Sequence, residues 1–225
     1  MGRFRLVLLI TFALLLSSCA PAVTEEEEVL IEEGEGVTEE AVTTEEEVAE
    51  EEGVIFPDSN LEAAVRQVIN KPKGTIDTSD LAGITWLGAS RNNITDLSGL
   101  EKCTNLTRLT LAGNAIYDIS PLANLTNLTY LWLTRNEICD ISPLAKLTNL
   151  TDLAMMNNQI IDISALASLT KLTRLDAWNN QINDLSPIVN LPDLRKVWIV
   201  LGNPVDDLSR NTLVPQLKER GVDVD

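Results

Sequence analysis

From residue 84 onward, apolar residues and asparagines return at the same places every 22 residues. The pattern L-x-x-L-x-L-x-x-N-x-I reads Leu106, Leu109, Leu111, Asn114, Ile116, and again Leu128, Leu131, Leu133, Asn136, Ile138. The asparagines fall at 92, 114, 136, 158 and 180, then at 203 after a one-residue insertion. A self-similar period of this length predicts stacked coils, each burying its apolar side only against its neighbours. In register the coils are 84–105, 106–127, 128–149, 150–171, 172–193 and a degenerate sixth from 194. Seven places per coil stay apolar, as in Leu106, Leu109, Leu111, Ile116, Ile119, Leu122 and Leu125.

Within a coil, Leu106 to Leu111 alternate as a short strand, with the leucines inward and Arg108 and Thr110 outward. Asn114 turns the chain, and a stack of equivalent asparagines can bond the main chains of successive coils. Asp118-Ile119-Ser120-Pro121-Leu122 follows and recurs at 140–144 and 184–188. Serine then proline suits the start of a short helical turn: the hydroxyl is expected to cap free amides, and proline brings a preset φ. The fold class is therefore an α/β repeat solenoid with a parallel concave sheet and short 3₁₀ or α turns on the convex side.

Both ends read as caps. Residues 53–83 include Ser59-x-x-Glu62, a capping-box spacing, and then Leu61, Ala64, Val65, Val68 and Ile69 at helical intervals until Pro72. The repeats occupy 84–202. In 203–225, Leu213 to Arg220 predict a short helix ended by Gly221, with Val222 and Val224 as a last extended piece. Pro215 leaves the start of that helix open.

These residues resemble the leucine-rich repeat family, in the 22-residue subclass of internalin-like bacterial surface proteins. The resemblance covers 56–225 and includes the F-P-D-S-N-L-E-A-A-V-R stretch, which is similar to the N-terminal cap of internalin-type proteins. It implies a curved solenoid that recognises protein through its concave side.

The N-terminus bears on location. Arg3 and Arg5 precede an apolar run from Leu6 to Leu16, too short to span a bilayer and shaped like a signal peptide, 1–18. The run ends in Leu16-Ser17-Ser18-Cys19, which resembles a bacterial lipobox. That resemblance implies lipid transfer to Cys19, cleavage before it, and a membrane anchor at the cell envelope. Two or three acyl chains hold stably where one is marginal. Residues 19–52 would then be a tether. Between 25 and 52 it carries 15 glutamates and no lysine, arginine or aromatic residue. Such a segment cannot bury enough apolar surface to offset its ordering entropy. It reads as a solvated stalk, or as a docking strip for a cationic partner or Ca²⁺.

Composition removes several functions. The formal charge of −17 sits mostly in the tether, and nothing suggests nucleic-acid binding. The chain has no histidine, which takes away the usual general base, the commonest zinc ligand and every Ser-His-Asp arrangement. No cofactor or metal site is expected. Cys103 takes a core place held elsewhere by Leu125, and Cys139 sits on the flank with Tyr117 and Ile161, so the two should not pair.

Recognition is expected on the outward strand places. The third-place row is Trp86, Arg108, Tyr130, Asp152, Arg174, Lys196; the fifth is Gly88, Thr110, Trp132, Ala154, Asp176, Trp198; the seventh ends in Met156, Trp178, Val200. All four tryptophans fall in these rows. Exposed Trp, Tyr and Arg on one wall are the material of hot spots. Trp86 could instead tuck under the N-cap, and Trp198 against the C-terminal helix. Ala154 should leave a hollow, with Arg91 and Arg135 on its rim. Stacking tryptophans also suit a carbohydrate or cell-wall glycan. A glycosidase pair, Asp152 and Asp176, is disfavoured on the expectation that Arg174 keeps both ionised, whereas an acid catalyst needs a raised pKa.

Overall fold

The computed structural model describes residues 53–225; the expected signal peptide, Cys19 and the expected tether lie outside the described residues. Seven parallel strands form one sheet in sequence order: β1 Trp86–Gly88, β2 Arg108–Thr110, β3 Tyr130–Trp132, β4 Asp152–Ala154, β5 Arg174–Asp176, β6 Lys196–Trp198 and β7 Asp223–Val224. The register follows the 22-residue period residue by residue. Trp86 pairs with Arg108, Arg108 with Tyr130, Tyr130 with Asp152, Asp152 with Arg174 and Arg174 with Lys196. The middle residue of each repeat strand, from Leu87 to Val197, is buried, because alternation turns it into the coil while its neighbours face out. Val222 and Val224 pack at the end of the core, and Asp223–Val224 closes the sheet edge as a seventh rung.

Asparagines bind the coils together. Nδ2 of Asn136 donates to the carbonyls of Leu133 (2.9 Å) and Leu111 (3.1 Å), and its Oδ1 accepts from the amide of Ile116 (3.2 Å). Asn114, Asn158, Asn180 and Asn203 repeat the arrangement. The insertion before Asn203 is absorbed by Gly202 at φ +72°, so the ladder stays in phase. The place just before each ladder asparagine is left-handed. Besides Gly113 and Gly202 it is held by Arg91 (φ 60°), Arg135 (φ 57°), Asn157 (φ 56°) and Asn179 (φ 56°), of which the two arginines take a backbone that glycine adopts more cheaply.

The convex turns are 3₁₀ at Leu100–Lys102, Ser120–Leu122, Ser142–Lys146 and Ser164–Ser168. Their capping differs from the sequence expectation. The serine hydroxyl does not cap; Asp118 accepts both the amide (2.8 Å) and the hydroxyl (3.0 Å) of Ser120. Asp96, Asp140, Asp162 and Asp184 do the same for Ser98, Ser142, Ser164 and Ser186. An ionised carboxylate only accepts and so takes both donors, whereas the serine hydroxyl is itself one of the donors here.

Helix α1, Ser59–Ile69, covers the first coil with Leu61, Ala64 and Val65, and ends at left-handed Asn70. The Ser59–Glu62 capping box is not the cap. Asp58 caps instead: Oδ1 accepts from the amides of Asn60 (2.9 Å) and Leu61 (3.0 Å), while Oδ2 accepts from Thr95 N (2.8 Å), Thr95 Oγ1 (3.2 Å) and Asp96 N (3.3 Å). One side chain thus starts the helix and fastens it to the first repeat. Burial pushes the Asp58 pKa upward, but the four amide donors outweigh it and the net direction is down from 3.8. Asp58→Ala should cost about 2–3 kcal/mol, combining a lost N-cap with stranded amides. A group whose folded pKa is depressed stabilises above its unfolded value and loses that contribution as pH falls through the folded one. Melting curves of wild type and variant should therefore converge below about pH 4; a gap that stays constant with pH would contradict the ionised clamp.

A single turn, α2 Thr78–Leu81, precedes β1, and the convex turn of the fifth coil, α3 Ser186–Val189, is α rather than 3₁₀. At the C-terminus the helix begins earlier than the sequence suggests. A π turn at Ser209–Leu213 runs directly into α4, Val214–Glu219, and places Pro215 in the first turn of α4, where its missing amide costs little. Arg220 then donates to the carbonyls of Val189 and Leu191, tying this cap to the last turn. Cys103 is a free, fully buried core thiol, and burial, helped by Glu101, pushes its pKa up to about 12.

Candidate functional site: the outward face of the sheet

The register places all ten sequence-predicted residues on or beside the outward rows. Trp86 is 56% exposed and does not tuck under the N-cap; its ring lies across Gly88, where a Cβ would stand 2.9 Å from Cζ2. Glycine at 88 thus creates the bed on which Trp86 rests. Two coils on, Arg108 lies over the Tyr130 ring at 5.3 Å, and Tyr130 meets Trp132 at a centroid distance of 5.0 Å. Burial, and next the charge of Asp152, push the Tyr130 hydroxyl pKa up. Farther along, Arg174 (4.9 Å) and Lys196 (4.2 Å) both contact the Trp198 ring. Trp198 is held by these cations, and Lys196 also approaches Asp223 at 3.6 Å. Each aromatic anchor is thereby fixed by a neighbour in the register, which lowers the entropy lost when it is covered.

Between the two clusters the face drops. Ala154 presents only a methyl between Trp132 and Asp176, and both Ala154 and Asp176 are buried although they stand on an outward row. Trp178, two residues past Asp176, is half-buried. Asp152 accepts from Thr151 Oγ1 at 2.9 Å. Asp176 behaves otherwise than expected. Arg174 does lower its pKa, but desolvation dominates and Asp225 adds repulsion, so the net direction is up. The expectation that Arg174 would hold the Asp176 pKa down is thus not met, because burial outweighs it.

Sequence reasoning missed the cation–aromatic pairings and the burial of Asp176. The first had a signal: Arg108, Arg174 and Lys196 sit one place diagonal or adjacent to aromatic residues in the rows. The second had none, because burial on an outward row depends on the heights of the side chains around it. Away from the sheet, Tyr117 and Ile161 are exposed at the flank place they share with Cys139.

Comparisons with known proteins place the chain. The description "Leucine Rich repeats (2 copies)" matches residues 84–124, 104–146, 126–168 and 170–213, more than half of the sequence. The chain belongs to the leucine-rich repeat family. No curated protein matches it. Among solved structures it is similar to an internalin (inlF) of Listeria monocytogenes, with 33% identity and a TM-score of 0.64 over 76% of this chain and 56% of that one. It spans just over half the length of that internalin. The functional domain of InlJ, also from Listeria monocytogenes, is 29% identical with a TM-score of 0.56, covering 70% of this chain and 40% of the other. A leucine-rich repeat protein of Leptospira interrogans shares the fold at 21% identity and a TM-score of 0.61, over 76% of this chain and 40% of that one.

Proposed function

We propose that this protein is a surface-displayed, non-enzymatic binding module of a bacterial envelope, which captures a protein partner on the concave face of its solenoid. One observation carries the reading. Four tryptophans and Tyr130 stand on the outward rows rather than in the coil, with cations on the Tyr130 and Trp198 rings and Tyr130 against Trp132. Preordered aromatic rings with adjoining arginines are where binding energy concentrates. The internalin likeness supports the same face and the same class of ligand. Binding residues in this reading are Trp86, Arg108, Tyr130, Trp132, Asp152, Arg174, Asp176, Trp178, Lys196 and Trp198.

Attachment runs through acylated Cys19 and the glutamate-rich stretch, which lifts the solenoid from the membrane. Cys19→Ser should release the protein from the membrane fraction or accumulate an uncleaved precursor. Normal processing with unchanged membrane association would refute the lipid anchor. For the ligand class, the purified protein is incubated with arrays of envelope and host proteins and of glycans. Capture by a protein, lost when outward tryptophans are replaced, supports the proposal; saturable glycan binding with tryptophan quenching and no protein capture would transfer the site to carbohydrate.

A further inference from the structure

Asp176 is a carboxylate 4% exposed on a row that faces out, and its Oδ1 is buried with no hydrogen-bond partner. The four ion pairs among the described residues join Arg66 to Glu62, Lys71 to Asp77 and to Asp80, and Lys196 to Asp223, and none includes Asp176. Arg174 acts on it through its charge alone, and Arg174 and Lys196 both lie on the Trp198 ring. A buried carboxylate left unpaired destabilises the fold that holds it, and such exceptions to local rules gather at functional sites.

Its surroundings have the shape of a receptacle. Along the fifth-place row the order is Trp132, Ala154, Asp176, Trp198. Three steps of the sheet separate the two tryptophans, roughly 14 Å. Ala154 supplies a low floor beside the carboxylate, with a ring at either end. The other unpaired buried side-chain polar atom among the described residues, Nδ2 of Asn157, lies three residues beyond Ala154. Its amide orientation is set because Oδ1 accepts from Asn179 at 2.7 Å. The same pair of coils therefore lacks one cation and one acceptor.

Building on the concave-face reading above, we propose that the hollow over Ala154 receives a cationic side chain of the protein partner, a lysine or arginine, whose charged head pairs with Asp176. Its methylenes lie over Ala154, in the row that Trp132 and Trp198 flank. Aromatic walls and a desolvated carboxylate favour a cation over a neutral chain of equal length.

Binding of this kind needs the ionised carboxylate. Because the Asp176 pKa lies above 3.8, acidification protonates it earlier than an ordinary aspartate and weakens binding as pH falls. The charged or titratable groups around it are Arg174, Asp225, Lys196, Asp223, Asp152 and Tyr130, and all are retained in Asp176→Asn. The difference between the two pH profiles therefore isolates Asp176.

The test is an NMR titration of the purified full chain, following the four indole N–H signals. The probes are N-acetyl-lysine methylamide, its arginine counterpart, and the neutral N-acetyl-norleucine methylamide. Saturable shifts are expected with either cationic probe and not with norleucine. Asp176→Asn should weaken binding at least tenfold without lowering the melting temperature at pH 7, since it removes an unpaired buried charge. Ala154→Leu, which fills the floor and keeps the carboxylate, should abolish the shifts as well and serves if Asp176→Asn unfolds. Equal shifts with norleucine, no saturable shift with either cation, or unaltered binding in a folded variant would overturn the proposal. Partner capture that depends on Trp132 but not on Asp176 would overturn this inference alone and leave the concave-face reading standing.

Discussion

Asn136→Ala should lower the stability of the solenoid by about 2–3 kcal/mol, roughly 5–10 °C for a domain of this size. The magnitude follows from counting what is stranded. The carbonyl of Leu111 still receives Asn114, and that of Leu133 still receives Asn158, because each ladder carbonyl is shared by two successive asparagines. The amide of Ile116 has no such reserve: Oδ1 of Asn136 is its acceptor, and the site is buried. One orphaned buried amide and two weakened carbonyls place the cost in the middle of the range for lost buried hydrogen bonds, not at its top. Thr134→Ala, on the outward seventh row, should cost a few tenths of a kcal/mol. Equal melting temperatures for the two variants would show that the ladder is not what joins the coils. Since coils contact only their neighbours, the loss should also appear as faster amide exchange in the coils on either side of Asn136.

The register was legible to the residue because a 22-residue period admits no slip: moving one coil by a single place would expose Leu109 and bury Arg108. What the pattern could not resolve is which of two similar groups takes a role. Asp58 and Ser59 are both good N-cap types, and the choice fell to Asp58 because only a carboxylate also reaches Thr95 and Asp96. The convex turns posed the same question. There the answer stood in the sequence, since Asp96, Asp118, Asp140, Asp162 and Asp184 recur two residues before a serine. The π turn before Pro215 is a local accommodation with no periodic signature. On the candidate site, the rows were readable and the relief was not. Asp176 and Thr110 occupy equivalent places, yet Asp176 is buried and Thr110 half-exposed, a difference that the alternation of the strand does not encode.

Trp132→Ala should weaken capture of the protein partner by at least about 2 kcal/mol, some 30-fold in Kd. The ring is 38% exposed, and the residues that anchor its strand, Leu131 and Leu133, are buried on the opposite side, so the coil keeps its core when the indole is removed. Two losses add on the binding side. The aromatic area offered to the partner disappears, and Tyr130 loses the neighbour that holds its ring at 5.0 Å, leaving only Arg108 to order it. Tyr130→Ala in the Trp132→Ala background should then cost less than Tyr130→Ala alone, because stacked anchors couple. Lys146→Ala, exposed on a convex turn, should leave binding unchanged. Calorimetric titration of the partner with wild type, Trp132→Ala and Lys146→Ala, beside melting curves for all three, checks this directly. A folded Trp132→Ala protein that binds at full strength would move the partner off the sheet, and the exposed flank at Tyr117 and Ile161 would be the next surface to mutate. An unfolded one would mean that the indole supports the coil, which its exposure and the burial of Leu131 and Leu133 argue against.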